Sequence, residues 1–169
     1  MNLLAPLLTL ETVRLNLDVS SRKRLYEEAG LVFESSAGIS HTEAFEALFA
    51  RERLGSTCVG AGCALPHGRI AGITEPALVF LRTVVPLQLD ALDGRPVRLF
   101  LCLLIPENDD GQYLRILRET AAVFADKPLR TALLNAQTEV EICELIHNWT
   151  PPADLHFEED FDASNESVE

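Results

Sequence analysis

The segment Val97-Arg98-Leu99-Phe100-Leu101-Cys102-Leu103-Leu104-Ile105 is apolar at every position except Arg98. A membrane-spanning helix requires about 20 such residues, so this run is far too short to cross a bilayer. Strands that face water on one side alternate apolar and polar residues, whereas strands covered on both faces are apolar throughout. The stretch therefore predicts a central strand with packed layers above and below it.

Further strands are predicted on either side of this segment. The alternation over residues 13–17 indicates a short half-buried strand. The segment 77–81 predicts a second strand, and residues 86–89 predict a weaker third one before an Asp93-Gly94 turn.

Helices are predicted before and after the strands, from capping residues and apolar spacing. The first helix follows Ser21 and ends near Gly38, and the second starts at Ser40 and ends at Gly55. A third helix, capped by Asp109-Asp110, is expected to bury Leu114, Leu117, Ala121 and Phe124. Two more helices follow Lys127 and Thr138. Helices on both sides of a run of strands indicate an α/β fold. We expect a single-domain layered sandwich, in which a mixed β-sheet is flanked by helices.

The charge of the chain is unevenly distributed. The formal net charge is −12, which argues against nucleic-acid binding because a phosphate backbone would be repelled. Seven of the acidic residues and none of the basic ones lie in residues 151–169. We therefore predict a domain over 1–150 and a flexible acidic tail over 151–169. With no membrane insertion predicted and no signal peptide apparent, a cytoplasmic location is expected.

His67 differs from the other histidines in its sequence context. Pro66 fixes its own backbone torsion and restricts Leu65 to extended conformations, so the chain enters His67 rigidly. Gly68 follows with no side chain to obstruct an approach. A neutral imidazole keeps one lone pair near pH 7 and can attack phosphorus. A phosphate there would require positive charge and hydroxyl donors, which the nearby Arg51, Ser56 and Thr57 can supply.

The residues alone leave other interpretations open. Pro-His-Gly is also typical of a turn histidine that bonds to backbone. A metal site would use Cys58, Cys63 and His67, although their spacing is not the usual zinc pattern and a fourth ligand is not evident. A Cys63 nucleophile paired with His67 lacks a third orienting group. The remaining histidines are predicted to be solvated or to compensate helix dipoles: His41, His147 and His156.

One family matches these motifs in their order along the chain. The segments 51–57 and 64–69, joined by a glycine-punctuated strand, closely resemble the enzyme IIA domain of the mannitol/fructose and nitrogen-related phosphotransferase systems. The segments 103–106 and 124–127 resemble the same family, and the likeness runs from about Leu7 to Trp149. The Gly-Ser-Thr variant at 55–57 and the apparently free-standing length favour the nitrogen-type branch.

The resemblance implies a function. His67 would accept a phosphoryl group from a phosphohistidine on an HPr-like phosphocarrier protein, so the chain would be an enzyme only as a phosphotransferase-system component. Arg51 would stabilise the phosphate, with Ser56 and Thr57 nearby, and no cofactor or metal is implied. The output would be regulation of protein targets such as potassium-handling proteins or kinases. The alternative is a transport-class IIA protein that passes phosphate to a sugar permease of the fructose or mannitol type.

Two positions depart from the family pattern. Tyr113 stands where many members carry a second active-site histidine, with Arg115 two residues further on, and Ala61 stands where relatives often have a polar residue. A phenol can donate a hydrogen bond to phosphate but cannot act as a base near neutral pH. These departures favour a regulator over efficient onward transfer, and Tyr113 is kept as a phosphate-neighbouring candidate.

Overall fold

The computed structural model describes residues 2–155, which form one mixed sheet with helices on both faces. The strands are β1 (Val13–Leu17), β2 (Cys58–Gly60), β3 (Cys63–Ala64), β4 (His67–Ile70), β5 (Ala77–Leu87) and β6 (Val97–Pro106). The helices are α1 (Arg22–Ala37), α2 (His41–Glu52), α3 (Gln112–Ala125), α4 (Lys127–Asn135) and α5 (Glu139–His147). The predicted α/β sandwich is confirmed.

Strand β6 lies at the centre of the sheet, as its apolar sequence predicts. It pairs antiparallel with β5 on one side, and parallel with both β3 and β4 on the other. The sheet continues outward from β5 to a parallel β1 and from β3 to an antiparallel β2. Both β3 and β4 therefore lie along the same edge of β6, separated only by Leu65 and Pro66.

Each face of β6 packs into a different core. Leu99, Leu101 and Leu103 join the cluster that contains residues of α3, α4 and α5. Phe100 and Cys102, which alternate with them, join the cluster formed with α1 and α2. Successive side chains of a strand point to opposite faces, so a uniformly apolar strand supplies both layers. This arrangement is the physical reason for the continuous apolar run.

The prediction of two separate strands over 77–81 and 86–89 is wrong. They form the single strand β5, whose register with β6 shifts between Arg82 and Leu87. Pro86 lies in this irregular part of the strand, where its missing N–H does not interrupt a regular ladder. The apparent strand break in the sequence therefore corresponds to a register shift within one continuous strand.

Two helix predictions also need correction. Helix α2 ends at Glu52, with Arg53 as its C-cap, so Gly55 lies beyond the end of the helix instead of capping it. The predicted buried face of α3 is displaced, because Leu114 is 45% exposed while Glu119 and Thr120 are buried. The Glu119 carboxylate accepts a hydrogen bond from the Leu3 amide, so the N-terminal segment covers this polar position.

The chain after α5 is described only as far as Leu155. Residues 156–169 lie outside the described residues, and so do His156 and most of the tail predicted over 151–169. Within residues 2–155, none of the helices combines the length and apolar character needed to cross a membrane.

Candidate functional site

His67 is the first residue of β4, at the point where the sheet edge is interrupted by Leu65-Pro66. The Pro66 carbonyl accepts a hydrogen bond from the Leu103 amide, so the link itself stays attached to β6. His67 lies opposite Leu103 in the register, on the α3 side of the sheet. The rigid entry predicted from Pro66 thus becomes a fixed position beside the central strand.

A single hydrogen bond determines which nitrogen of a neutral His67 keeps its lone pair. The Nδ1 atom lies 2.7 Å from the Leu65 carbonyl oxygen. A carbonyl only accepts, so Nδ1 carries the proton and donates it, which leaves the lone pair of a neutral ring on Nε2. The backbone therefore fixes the tautomer in which Nε2 is unprotonated.

The surroundings of His67 favour its neutral form. Burial lowers the pKa of His67 from its usual 6.5; the hydrogen bond to Leu65 opposes this shift, and the Arg51 charge adds to it. An imidazole with a lowered pKa keeps its lone pair available across neutral pH. The ring is only partly covered, so it remains accessible to a reaction partner.

Gly68 brings helix α2 against the strand that carries His67. A Cβ atom at Gly68 would lie 2.6 Å from the carbonyl oxygen of Ala47 and 2.9 Å from its carbonyl carbon. The absent side chain therefore serves the approach of a helix rather than the approach of a ligand. Because Arg51 and Glu52 lie one turn further along α2, this contact places both near His67.

Glu52 is the centre of a buried hydrogen-bond network under the site. Its Oε1 atom accepts hydrogen bonds from the Tyr26 hydroxyl, at 2.8 Å, and from the Thr57 hydroxyl. Its Oε2 atom lies 3.9 Å from Nε of Arg22. Burial and the Glu52 charge raise the pKa of Tyr26, so the phenol stays protonated and donates. The network ties α1, α2 and the loop before β2 together.

A cavity of about 330 Å³ opens beside His67. It is lined by Arg51, Ser56, Thr57, Cys58, Val59, Leu65, His67, Leu117, Arg118 and Ala121. Four of the five candidate site residues are thus brought together. The Ser56 hydroxyl oxygen accepts from the Cys58 amide, and its own proton stays available for donation. The Thr57 hydroxyl instead donates to Glu52, so it serves the network below the cavity.

Tyr113 is the candidate that does not line this cavity. Its ring lies under the guanidinium of Arg69, at 4.8 Å from the ring centroid, so it links the end of β4 to the start of α3. Ala61 also lies away from His67. It occupies the β2–β3 turn with φ +56°, next to Gly62 at φ +79°, as a two-residue hairpin requires.

The alternatives based on cysteine do not match the geometry. Cys63 is fully buried, its thiol contacts the Ala61 carbonyl at 3.7 Å, and burial raises its pKa to about 12. A thiol this basic stays protonated and is a poor nucleophile. Within residues 2–155, no group of three or more histidine, cysteine or acidic side chains is placed to hold a metal ion, so Cys58, Cys63 and His67 do not form a site.

Helix α3 contributes a wall that the sequence did not reveal. Leu117 and Ala121, which were predicted to be core residues, line the cavity with Arg118. Their spacing correctly indicated one helix face, but helical periodicity does not say whether that face covers a core or a cavity. Arg118 adds a second cation to the lining of the cavity.

The lowered pKa of His67 predicts a pH dependence of stability. The folded state binds this proton less readily than the unfolded state, so the stabilisation is complete above pH 6.5 and is lost as the pH falls below 6.5 toward the lower pKa of the folded protein. We expect an NMR titration midpoint for His67 below 6.5. Between pH 7.5 and 5.5, urea unfolding of the wild type should lose more free energy than that of His67→Gln; a midpoint at or above 6.5 would contradict this.

Comparisons with known proteins agree on one family. The family described as "Phosphoenolpyruvate-dependent sugar phosphotransferase system, EIIA 2" matches residues 6–149. A nitrogen regulatory protein of Pseudomonas aeruginosa is 37% identical over 132 residues, which cover 78% of this chain and 86% of the relative. The crystal structure of the nitrogen regulatory protein IIA-Ntr from Neisseria meningitidis superposes with a TM-score of 0.81 at 43% identity, covering 86% of this chain and 99% of that one.

A more distant structure shares the fold. The enzyme IIA domain for mannitol from Escherichia coli, solved in complex with phosphorylated enzyme IIB, gives a TM-score of 0.70 at 16% identity, covering 84% of this chain and 98% of that one. The match over residues 6–149 includes His67, the Gly68 contact and the whole cavity wall. The chain therefore belongs to the type 2 enzyme IIA family of the phosphoenolpyruvate-dependent sugar phosphotransferase system, and is a homologue of its nitrogen regulatory members.

Proposed function

We propose that this protein accepts a phosphoryl group on Nε2 of His67 from a phosphohistidine of an HPr-like carrier, and regulates partner proteins through its phosphorylation state. The observation that carries the proposal is the Nδ1 hydrogen bond to the Leu65 carbonyl. It leaves the lone pair on Nε2, and the cavity beside the ring carries Arg51 and Ser56. Family membership supports the acceptor role.

The transfer is a displacement at phosphorus. The Nε2–phosphorus bond forms as the phosphorus–nitrogen bond of the carrier breaks, and the carrier imidazole leaves with that electron pair. Positive charge that develops on the His67 ring is stabilised by the Leu65 carbonyl at Nδ1. Arg51 lies beside the ring and would neutralise part of the phosphate charge. Both bonds lie in line only when the two imidazoles face each other across the cavity.

The proposal predicts a defined product. Incubation with phosphoenolpyruvate and the carrier system should label the protein with one acid-labile, base-stable phosphoryl group. Two-dimensional NMR of the labelled protein should place the phosphorus on Nε2 of His67, with Nδ1 still protonated. A stable phosphoester, or a phosphoryl group on Nδ1, would contradict the proposed chemistry.

Arg51 is expected to matter for transfer more than for folding. Arg51→Gln removes a charged hydrogen-bond donor worth about 1.5–3 kcal/mol, so the transfer rate should fall roughly 10- to 100-fold. The His67 pKa should also rise, because the Arg51 charge lowers it. Arg53→Gln is the matched control, since Arg53 is exposed and does not line the cavity. Equal rates for the two variants would remove Arg51 from the proposed mechanism.

The consequence of phosphorylation would be electrostatic. The phosphoryl group adds about −1.5 to −2 charges at neutral pH without requiring the domain to refold. Partners that contact the His67 face would then bind one state more tightly than the other. We propose regulatory proteins as the targets, with potassium-handling proteins and kinases as the first to test.

The transport-class alternative shares the same acceptor histidine. It is favoured by the description of the family as a sugar phosphotransferase system. The two functions differ in the fate of the phosphoryl group. Labelled protein mixed with membranes that contain a fructose- or mannitol-type permease should lose its label only when sugar is present, if it is a transport component. Label that persists with every permease and sugar pair supports the regulatory function.

A further inference from the structure

A second cavity, of about 520 Å³, has no part in the site described above. It lies between the β2–β3 turn, the segment entering β6, and helix α4, and it shares no lining residue with the His67 cavity. Four of its lining residues are cations: Arg95, Arg98, Lys127 and Arg130. None of the lining residues is acidic, although the chain carries a net charge of −12.

None of these four cations forms a close ion pair within the described part of the chain. Among residues 2–155, none of them has a carboxylate oxygen within 4.0 Å. Two are oriented by neutral carbonyls instead, since Arg98 Nε donates to Thr83 and Arg130 Nη1 donates to Phe124. Hydrogen bonds to carbonyls fix the guanidinium groups but supply no opposite charge.

A fifth cation lies behind this cluster. Arg82 is buried, and its Nη1 atom caps the end of α4 by donating to the carbonyls of Leu133 and Ala136. Its Nε atom is buried without a hydrogen-bond partner. Burial and then the charge of Arg98 lower the pKa of Arg82, as expected for two guanidinium groups on adjacent strands.

Acidic side chains act on these cations electrostatically: Asp93 on Arg95, and Glu139 and Glu141 on Arg82. The Asp93 carboxylate accepts hydrogen bonds from the backbone amides of Ala61, at 2.8 Å, and Arg95, at 3.0 Å. It thereby fixes the loop that presents Arg95. Like charges gathered in one cavity repel one another, and an anion bound among them would relieve that repulsion.

The remaining lining residues limit the kind of anion. Apolar side chains of Leu99, Leu134, Pro86 and Pro96 provide contact surface, and Thr131 provides a hydroxyl group. The volume fits a small molecule of metabolite size. We propose that this cavity binds a compact polyanion with two or more phosphate or carboxylate groups. The proposal does not depend on the phosphoryl-acceptor function.

The test uses inorganic pyrophosphate as the probe and the full-length chain. Titration at low ionic strength should shift the amide resonances of Ala61 and Gly62 and the Arg98 Nε–H resonance. The double variant Arg95→Gln/Lys127→Gln should bind pyrophosphate at least about tenfold more weakly than the wild type, because two charged donors are lost. The control Lys23→Gln/Arg24→Gln removes two charges from α1, on the other face of the sheet, and should bind as the wild type does.

A second arm distinguishes a free ligand from the chain's own carboxylates. Replacing Glu158, Glu159, Asp160 and Asp162 by their amides removes the densest acidic segment, which lies outside the described residues. If that segment supplies the anion, the cavity resonances should shift on substitution alone, and pyrophosphate should then bind more tightly. If they do not shift and pyrophosphate still binds, the ligand is a free polyanion. Resonances that respond to neither treatment, or a response that Arg95→Gln/Lys127→Gln leaves unchanged, would overturn the proposal.

Discussion

His67→Ala is expected to abolish phosphoryl acceptance, with a loss of at least about a thousandfold relative to wild type, since no other group replaces a missing nucleophile. The variant should otherwise fold normally. The ring is only partly covered, and its one hydrogen bond joins it to a carbonyl two residues away. The measurement is the acid-labile label incorporated from phosphoenolpyruvate through the carrier system, with circular dichroism and urea unfolding to verify the fold.

The other described histidines supply the controls for this experiment. His41 is exposed and paired with Glu34 at 2.8 Å, and His147 contacts the Leu8 carbonyl at 2.8 Å. Neither lines the His67 cavity, so His41→Gln and His147→Gln should label as the wild type does. His156 lies outside the described residues and belongs in the same series. Wild-type labelling of His67→Ala, or loss of label in one of the control variants alone, would assign the acceptor to another residue.

Gly68→Ala is expected to lower both the stability of the protein and its rate of phosphoryl transfer. The added methyl group meets the backbone carbonyl of Ala47 at 2.6 Å, and helix α2 must move to admit it. Overpacking of this kind costs about 1–3 kcal/mol. Gly68 does not have a positive φ, so the cost arises from the contact and not from backbone strain. Urea unfolding should show a free energy of unfolding lower by about 2 kcal/mol.

The displacement of α2 should also weaken transfer, because the helix carries Arg51 into the cavity. Two variants separate this explanation from a general weakening of β4. Arg69→Ala, at the exposed neighbouring position, should cost far less stability. Ala47→Gly should not rescue Gly68→Ala, because the obstructing atom is the main-chain oxygen. Rescue by Ala47→Gly, or a free energy of unfolding within about 0.5 kcal/mol of wild type, would contradict the packing argument.

Local chemistry accounts for the elements that were predicted correctly. Ser21 caps α1, with its hydroxyl accepting from the Arg24 amide, and Asp126 and Thr138 cap α4 and α5 in the same way. The β6 prediction rested on an apolar run that satisfies two cores at once. These signals involve only a few neighbouring residues, so they can be recognised without the rest of the chain.

The errors arose where distant residues decide the outcome. The apparent break between residues 81 and 86 is a register shift within β5, because β5 pairs with β6 again beyond it. The α3 face was misassigned because Leu3 satisfies Glu119 from more than a hundred residues away, which allows a carboxylate to be buried. Charge and periodicity in the sequence carry no record of such partners.

The candidate site was likewise predicted only in part. His67, Arg51, Ser56 and Thr57 were found from motif and resemblance, and they lie around one cavity. Their individual parts were not predictable. Thr57 donates to Glu52 and not into the cavity, and Tyr113 packs under Arg69 outside it.

Local composition and torsional restriction were enough to predict that β6 is buried on both faces and that His67 follows a rigid proline link. Which nitrogen of His67 is free could not be predicted from the sequence, because it depends on the position of the Leu65 carbonyl in the folded protein. The folded arrangement also brings cations from β6, from α4 and from the loop before β6 together around a second cavity. Hydrogen bonds and charge clusters depend on distances in space, which separation along the chain does not specify.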